Sequence, residues 1–528
     1  MATPTQSTAR RILWIDDEVE LFEPHLLFLR QRGYQVDTTT NGDDALAMAR
    51  GQSYDLVLLD EQMPGRRGLD VLSELRREEP HARVVMVTKS EEDRTLVEAI
   101  GRRVDDYLVK PATPRQVLSV VTRLLEGPQL RQQRVAQDFA ARYGQLTHMR
   151  DEAAHWQHFF ALYNELVDWE LRLHEAGESG LVESVTQLLA EVRREYGGYV
   201  ARHYGGWTGG SEADRPPLSV DIVERHVAPR LGAGPLLFII IDCLRLDQWR
   251  MIRPLLGNEF DIEESLYASI LPTATPYARN AIFSGRYPDT IAAERPGWWD
   301  TEEGSLNAFE DELLREQLRR LAGREVPVYY EKVFSDAEGE DLVGRVRGAL
   351  GGEGVVAVVY NFVDLLTHGR SESAILMEVA RDVPGLRALT RQWFERSSAY
   401  RILREAAARG VTTVLTSDHG SILCERSVTI HARRDATSNL RYKFGLDLRA
   451  QTPQAVYSVR DEAELRFPPG RRTTNYLLAL EDYFFVYPTK LREYQARYRG
   501  SFLHGGVSPE EMILPVAVLT PRAAGRPA

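Results

Sequence analysis

The sequence predicts an α/β protein built from two sheet-containing units joined by helices. Three observations carry the prediction. Over residues 1–126 short apolar runs end on acidic residues and alternate with helical segments, the pattern of a doubly wound parallel sheet. From 127 to 215 the apolar spacing is helical throughout and no strand pattern appears. From 216 to 528 the runs that end in acids return, in a second and larger α/β unit.

The length of 528 residues suits several domains at about 150 residues each. A hydrophobic content of 43% and a charged content of 27% are ordinary for a globular chain. No apolar run reaches the roughly 18 residues of a membrane span, and MATPTQSTARR lacks a signal-peptide core, so a cytoplasmic protein without membrane insertion is expected. Cys243 and Cys424 are too few for a disulfide framework or a thiolate metal site, so any metal must use carboxylates and imidazoles. The net charge of -12 argues against specific binding of duplex DNA.

In the N-terminal unit RRILWIDDE ends on Asp16, Asp17 and Glu18, and YDLVLLDEQMPG drives a buried strand into Asp60. ARVVMVTKS ends at Thr88 and Lys89, and DDYLVKP ends at Lys110. The carboxyl ends of parallel strands line one crevice, so Asp16, Asp17, Asp60, Thr88 and Lys110 should meet there. Carboxylates that share a pocket repel and call for a hard divalent cation, which suits magnesium. Asp60 is then placed to accept a phosphoryl group, with Lys110 pairing to the new charge and the Thr88 hydroxyl donating to a phosphoryl oxygen.

In the middle, Trp156, Phe159, Phe160, Tyr163, Leu166, Val167 and Trp169 fall at helical spacing and read as a packed helical core. His148, His155, His158 and His174 lack acidic partners at ligand spacing and read as structural or exposed. GGWTGGSEADRPP, residues 205–217, reads as a linker. More than 300 residues then remain, too many for a helix-turn-helix output, so an enzymatic output is expected.

In the C-terminal unit FIIID ends at Asp242, VVAVVYNFVD reaches Asp364 with His368 four residues on, and TTVLTSDHGS ends at Asp418 and His419. His504 precedes the last apolar strand. Three Asp and three His supply the donors for two zinc ions with open positions. PTATPYARNAIFSG offers Thr273 and Thr275 as nucleophiles at the start of a helix, where N–H groups and the dipole favour phosphate. Cys243 and Asp247, near the same strand end, read as packing and helix-surface residues.

The first constellation, with DEQMPG after Asp60, closely resembles the receiver domain of two-component response regulators, a flavodoxin-like fold, over residues 10–126. The resemblance implies that Asp60 is the phospho-acceptor and that Asp17, Asp60 and the Gln62 carbonyl hold magnesium, with Asp16 helping through water. It also implies that Tyr107 is the aromatic switch residue and that a sensor histidine kinase is the partner. The second constellation resembles the alkaline-phosphatase superfamily, and in PTATPYARNAIFSG and NFVDLLTH its PglZ branch, over residues 225–520. That implies an alkaline-phosphatase-like fold, one zinc held by Asp242, Asp418, His419 and the threonine, and a second held by Asp364, His368 and His504. In relatives the nucleophile stands ten residues before a helix-closing glycine, which points from Gly285 back to Thr275, with Thr273 as the alternative. Arg279 and Asn280 are the candidates for orienting the substrate phosphate.

The whole order resembles the PorX-like family of response regulators, linked in Bacteroidetes-type bacteria to type IX secretion and gliding. It implies three parts: a receiver (1–126), a helical connector (127–215) and a PglZ effector (216–528). It also implies a phosphorylation-controlled zinc phosphodiesterase acting on linear or cyclic oligonucleotides, a homodimer when phosphorylated, and a secretion-system or sigma-factor partner. The alternative is a non-catalytic scaffold whose PglZ domain binds a nucleotide or a protein.

Overall fold

The computed structural model describes residues 10–78, 82–89, 104–210, 214–298, 307–335, 339–370, 378–432, 439–461, 463–467 and 475–522. The chain divides into two compact units, Met1–Ala141 with Glu175–Glu178, and Arg142–His174 with Ser179–Ala528.

The first unit holds a five-stranded parallel sheet of β1 (Arg11–Ile15), β2 (Gln35–Thr39), β3 (Leu56–Asp60), β4 (Arg83–Thr88) and β5 (Asp106–Val109), in the order β2-β1-β3-β4-β5. The period of two in β1 sorts its side chains. Ile12 and Trp14 pack with Leu26, Leu29, Val117 and Val121 on one face, and Leu13 and Ile15 pack with Ala45, Leu46, Val71 and Leu72 on the other. Helices thus cover both faces, which is why β3 and β4 read as nearly unbroken apolar runs. The strand order reverses at β1 and β3, and the crevice outside their carboxyl ends is where such a sheet puts its site.

The middle of the chain forms three helices, Gly127–Asp151, Trp156–Ala176 and Ser179–Gly209. Phe159, Phe160, Tyr163, Leu166, Val167 and Trp169 are buried as the spacing predicts, and Trp156 is half-buried. His148, His155, His158 and His174 are exposed, but His148 does have an acidic partner, its Nδ1 lying 3.2 Å from Glu152 Oε2 one helical turn on. The expected linker starts later than its composition indicates: residues 205–209 continue the third helix with Trp207 buried, and residues 211–213 of it lie outside the described residues. The aromatic side chain anchors the helix despite the flanking glycines. The third helix is tied to the effector domain by Arg193 Nε donating to Glu510 Oε1 at 2.7 Å and by Tyr204 Oη accepting from Leu271 N at 2.8 Å.

The effector sheet has six strands: β6 (Leu236–Ile241), β7 (Phe260–Ala268), β8 (Val328–Val333), β9 (Val355–Tyr360), β10 (Thr413–Thr416) and the C-terminal strand Ile513–Pro521. Their order is β7, the C-terminal strand, β10, β6, β9, β8. β10, β6, β9 and β8 run parallel, and the C-terminal strand is antiparallel to both its neighbours. LLFIII in β6 and VVAVVY in β9 are buried at every position, because layers on both faces exclude water from central parallel strands. Between β10 and the C-terminal strand an insertion forms three small sheets.

Three placements differ from the sequence reading. Asp364 is not at a strand end but in the first turn of helix Phe362–Arg370, since β9 stops at Tyr360. His504 reaches the rim from the N-terminal side of the antiparallel strand, whose start lies beside the carboxyl ends of its parallel neighbours. Asp247 is also not a helix-surface residue. It is 1% exposed and takes two hydrogen bonds from Arg245, both at 2.9 Å.

Candidate active site

In the receiver crevice Asp16, Asp17 and Asp60 bring carboxylate oxygens within 4.8 Å of one another. Lys110 Nζ lies 2.7 Å from Asp16 Oδ2 and 2.8 Å from Asp60 Oδ2. Burial pushes the Asp60 carboxyl up, although Lys110 opposes the shift. Asp17 Oδ1 is buried with no hydrogen-bond donor among the described residues, as an oxygen facing a hard cation would be. Gln62 N donates to Asp60 Oδ1 at 3.3 Å. Thr88 is fully buried at the end of β4, and Tyr107 in β5 packs half-buried against the cluster that contains Met86. Gly68 is required for the tight return of the loop, because a Cβ there would stand 2.3 Å from the Asp60 carbonyl oxygen.

In the effector domain the threonine helix runs Thr275–Ser284 and ends on Gly285 in the left-handed region at φ 63°. Thr275 Oγ1 lies 3.0 Å from His419 Nε2 and 3.4 Å from Asp242 Oδ1. Thr273 has a different environment. Its hydroxyl donates to Gly506 O at 2.8 Å and accepts from Gly505 N at 3.0 Å, and its carbonyl accepts from His504 Nδ1 at 3.1 Å. The Thr273 hydroxyl is therefore fully engaged in holding the His504 turn, whereas Thr275 faces the acids.

Two groups of donors converge there. Asp242 Oδ1 and Asp418 Oδ2 lie 3.5 and 3.9 Å from His419 Nε2. His368 Nε2 and His504 Nε2 are 3.0 Å apart and lie 3.4 and 3.6 Å from Asp364 Oδ1. A tetrahedral cation with bonds near 2.0–2.1 Å needs donor atoms about 3.3 Å apart, so both sets fit one. The tautomers agree: the Nδ1 atoms of His504 and His419 face the carbonyls of Thr273 and Gly420, which can only accept, leaving each Nε2 a lone pair turned inward. Asp418 Oδ2 is buried without a hydrogen-bond donor among the described residues.

Burial and the Asp418 charge push the Asp242 carboxyl well above its usual range. Burial and the neighbouring His419 lower His504 to about 3, which keeps its imidazole neutral as a metal ligand requires. Burial alone would raise Asp364, but the hydrogen bond from His368 holds it below the carboxylate range. Arg279 enters the acid cluster directly. Its Nη1 donates to Asp242 Oδ2 at 2.7 Å and Asn361 Oδ1 at 3.0 Å, and its Nε donates to Glu310 Oε1 at 2.7 Å. These bonds make it an internal counter-cation rather than an open clamp. Asn280 donates from Nδ2 to Pro276 O at 3.0 Å, and its Oδ1 accepts from Asn307 Nδ2 at 3.3 Å.

Sequence reasoning missed Glu310 and Asn361, which brace Arg279, and Asn307, whose Nδ2 donates to Thr275 O at 3.3 Å. Asn361 opens the NFVD motif, where an uncharged amide carries no acid or imidazole signal in the sequence. Cys243 takes the left-handed backbone at φ 65°, which lets its N–H donate to Asp418 Oδ1 at 3.3 Å and the next N–H, of Leu244, to Ser417 Oγ at 2.9 Å.

Three family models match successive parts of the chain. The model of the BREX system PglZ alkaline phosphatase-like domain matches residues 222–519, that of the response regulator receiver domain residues 12–122, and that of the PorX response regulator linker domain residues 129–208. The transcriptional regulatory protein ResD of Bacillus subtilis is 36% identical over 120 residues, 23% of this chain and 50% of ResD. The alginate biosynthesis transcriptional regulatory protein AlgB of Pseudomonas aeruginosa is 36% identical over 126 residues, 24% of this chain and 28% of AlgB. The chain thus spans half or less of these relatives' length. Among solved structures, the response regulator protein TrrA of Thermotoga maritima in complex with Mg(2+)-BeF is 34% identical, with a TM-score of 0.21, covering 22% of this chain and 99% of that one.

Proposed function

Since the chain belongs to the family of BREX system PglZ alkaline phosphatase-like domains and carries a response regulator receiver ahead of that domain, we propose that phosphorylation of Asp60 controls a zinc-dependent phosphodiesterase built on Thr275. The observation that carries this reading is the Thr275 hydroxyl set 3.0 Å from His419 and 3.4 Å from Asp242, beside two sets of donors that fit tetrahedral cations. Asp242, Asp418, His419 and Thr275 would hold one zinc, and Asp364, His368 and His504 the other. Bound zinc supplies Lewis acidity, lowering the pKa of the threonine hydroxyl and favouring charge on the leaving oxygen.

Thr275 gives its proton to solvent and attacks phosphorus. The Oγ–P bond forms as the ester bond to the leaving alcohol breaks, and the alcohol departs with a proton. Water then displaces Oγ, releasing a phosphomonoester and restoring the hydroxyl. Helix N–H groups at the start of Thr275–Ser284 favour the phosphate, and Arg279 keeps the buried carboxylates from repelling it.

In the receiver, which implies a cognate histidine kinase, Asp17, Asp60 and the Gln62 carbonyl would hold magnesium with Asp16 helping through water. Phosphorylated Asp60 would draw Lys110 and Thr88 toward the new charge, re-seat Tyr107 and favour a homodimer. Linear or cyclic oligonucleotides are the proposed substrates. A cytoplasmic role linked to type IX secretion, with a secretion-system or sigma-factor partner, is supported by the PorX-type linker at 129–208. No helix among the described residues is long and apolar enough to cross a membrane.

The test is turnover of a phosphomonoester, a linear dinucleotide and a cyclic dinucleotide by metal-analysed protein, with and without beryllofluoride at Asp60. Zinc-dependent hydrolysis of a diester, altered by beryllofluoride, is expected. Zinc without turnover of any diester would support the scaffold reading instead.

A further inference from the structure

We propose that Asn361 holds a non-bridging oxygen of the substrate phosphate through its side-chain amide N–H, the task the sequence assigns to Arg279 or Asn280. This rests on the phosphodiesterase reading above. Asn361 follows β9 directly, its N–H donating to Val333 O at 3.0 Å, while on the other side Asp242 N donates to Tyr360 O at 2.8 Å. It therefore stands on the rim beside the Asp242 ligand.

Its amide orientation is fixed by chemistry. A guanidinium can only donate, and Arg279 Nη1 lies 3.0 Å from Asn361 Oδ1, so that atom is the oxygen and the other end is the NH2 group. That same Nη1 donates to Asp242 Oδ2, so the amide is anchored at the acid cluster. The residue is 4% exposed, and Nδ2 is buried with no acceptor among the described residues.

The ordinary role of an asparagine before a helix is to cap it. A cap accepts from a helix N–H two or three residues on through its side-chain oxygen, but here that oxygen is engaged by Arg279. Only the backbone carbonyl of Asn361 serves the helix, accepting from Leu365 N at 3.0 Å. A buried donor left without a partner destabilises the fold, and a ligand oxygen that completes it recovers that cost. Of the two other candidates, Arg279 is held in place through Nε and Nη1 by Glu310, Asp242 and Asn361, and Asn280 gives a hydrogen of Nδ2 to Pro276 O. A neutral amide donor also suits the single charge of a diester better than the double charge of a monoester, so Asn361 would favour diesters.

The experiment compares zinc-loaded full-length wild type, N361A and N361D on a dinucleotide and on its two phosphorothioate diastereomers, in which sulfur replaces one or the other non-bridging oxygen. N361D keeps an oxygen for Arg279 and removes the donor. The expected result is that kcat/KM on the oxygen diester falls about 10- to 100-fold in both variants at unchanged zinc content. The preference of the wild type between diastereomers should shrink about tenfold or more in N361A, because a contact to one particular oxygen has gone. N361D turning over like wild type, an unchanged diastereomer ratio in N361A, or loss of zinc together with turnover would overturn the proposal and leave the diesterase reading standing. A wild type that hydrolyses no diester would overturn both.

Discussion

Both units gather carboxylates at the rim of a parallel sheet, and they offset the resulting repulsion by different means. In the receiver one ammonium, Lys110 Nζ, bridges Asp16 and Asp60 at 2.7 and 2.8 Å. A lysine is a compact point charge on a flexible stem, able to move when the charge at Asp60 changes. In the effector domain the counter-cation is Arg279, 2% exposed and held by Glu310, Asp242 and Asn361, and imidazole lone pairs stand among the acids. A planar guanidinium so tied cannot swing away. The first arrangement suits a site that rearranges, and the second a site that must hold its geometry through turnover. The donor sets differ in the same sense, oxygen alone in the receiver and nitrogen with oxygen in the effector domain, which separates magnesium from zinc.

The largest expected effect separates the two centres outright. Asp60→Asn should abolish labelling by a small phosphoryl donor and leave zinc content unchanged, while a zinc-selective chelator should abolish diester hydrolysis and leave Asp60 labelling intact. Cross-inhibition in either direction would break the distinction between the centres. Next in size is removal of each counter-cation. Arg279→Met leaves Asp242 and Asp418, 2.7 and 3.8 Å from its Nη1, without their cation, while Glu310 keeps Lys332 at 3.2 Å, and should cost about 3–5 kcal/mol of metal-free stability by urea unfolding. Lys110→Met, in the more open receiver crevice, should cost about 1–2 kcal/mol, and equal losses would contradict the contrast.

Acid should sharpen it further. His504 has its folded pKa lowered from 6.5 to about 3, so the unfolded chain binds a proton that the folded one refuses. Its contribution is complete above pH 6.5 and is lost as pH falls from 6.5 toward 3, at up to about 1.4 kcal/mol per pH unit. Denaturant unfolding of metal-free protein at pH 7, 5 and 4 reads this slope, and His504→Ala should flatten it. The smallest effect is expected for Thr273→Val, which removes the hydroxyl that clamps Gly505 and Gly506. Zinc affinity should fall about 10-fold or more, with turnover recovered at saturating zinc; a loss of turnover that zinc cannot restore would make Thr273 the nucleophile.

The receiver was legible in the sequence because its signal is local: β1, β3, β4 and β5 read as short apolar runs and bring Asp16, Asp60, Thr88 and Lys110 to the crevice at their last residue or the one after it. The donor cluster of the effector domain was legible for the same reason at Asp242, Asp418 and His419. Elsewhere the information is distant. Thr273 and Thr275 are the same residue type two positions apart, and what separates them is a turn at Gly505 and Gly506 on the far side of the inserted sheets. Arg279 could be taken for a phosphate clamp because nothing near it in sequence shows that Glu310 and Asn361 hold it. Asp247 read as a helix-surface residue because its partner Arg245, although only two residues away, is itself buried. The beginning of the expected linker became helix because Trp207 found a buried site that outweighs the helix-breaking glycines around it.

Hydrolysis of a linear dinucleotide by zinc-loaded wild type and Thr275→Ala, with zinc counted in both proteins, bears most directly on the assignment of Thr275 as a zinc-bound nucleophile. The expected result is rapid turnover by the wild type, none above background by the variant, and zinc retained by both through the Asp and His ligands. Unchanged turnover in Thr275→Ala would contradict it.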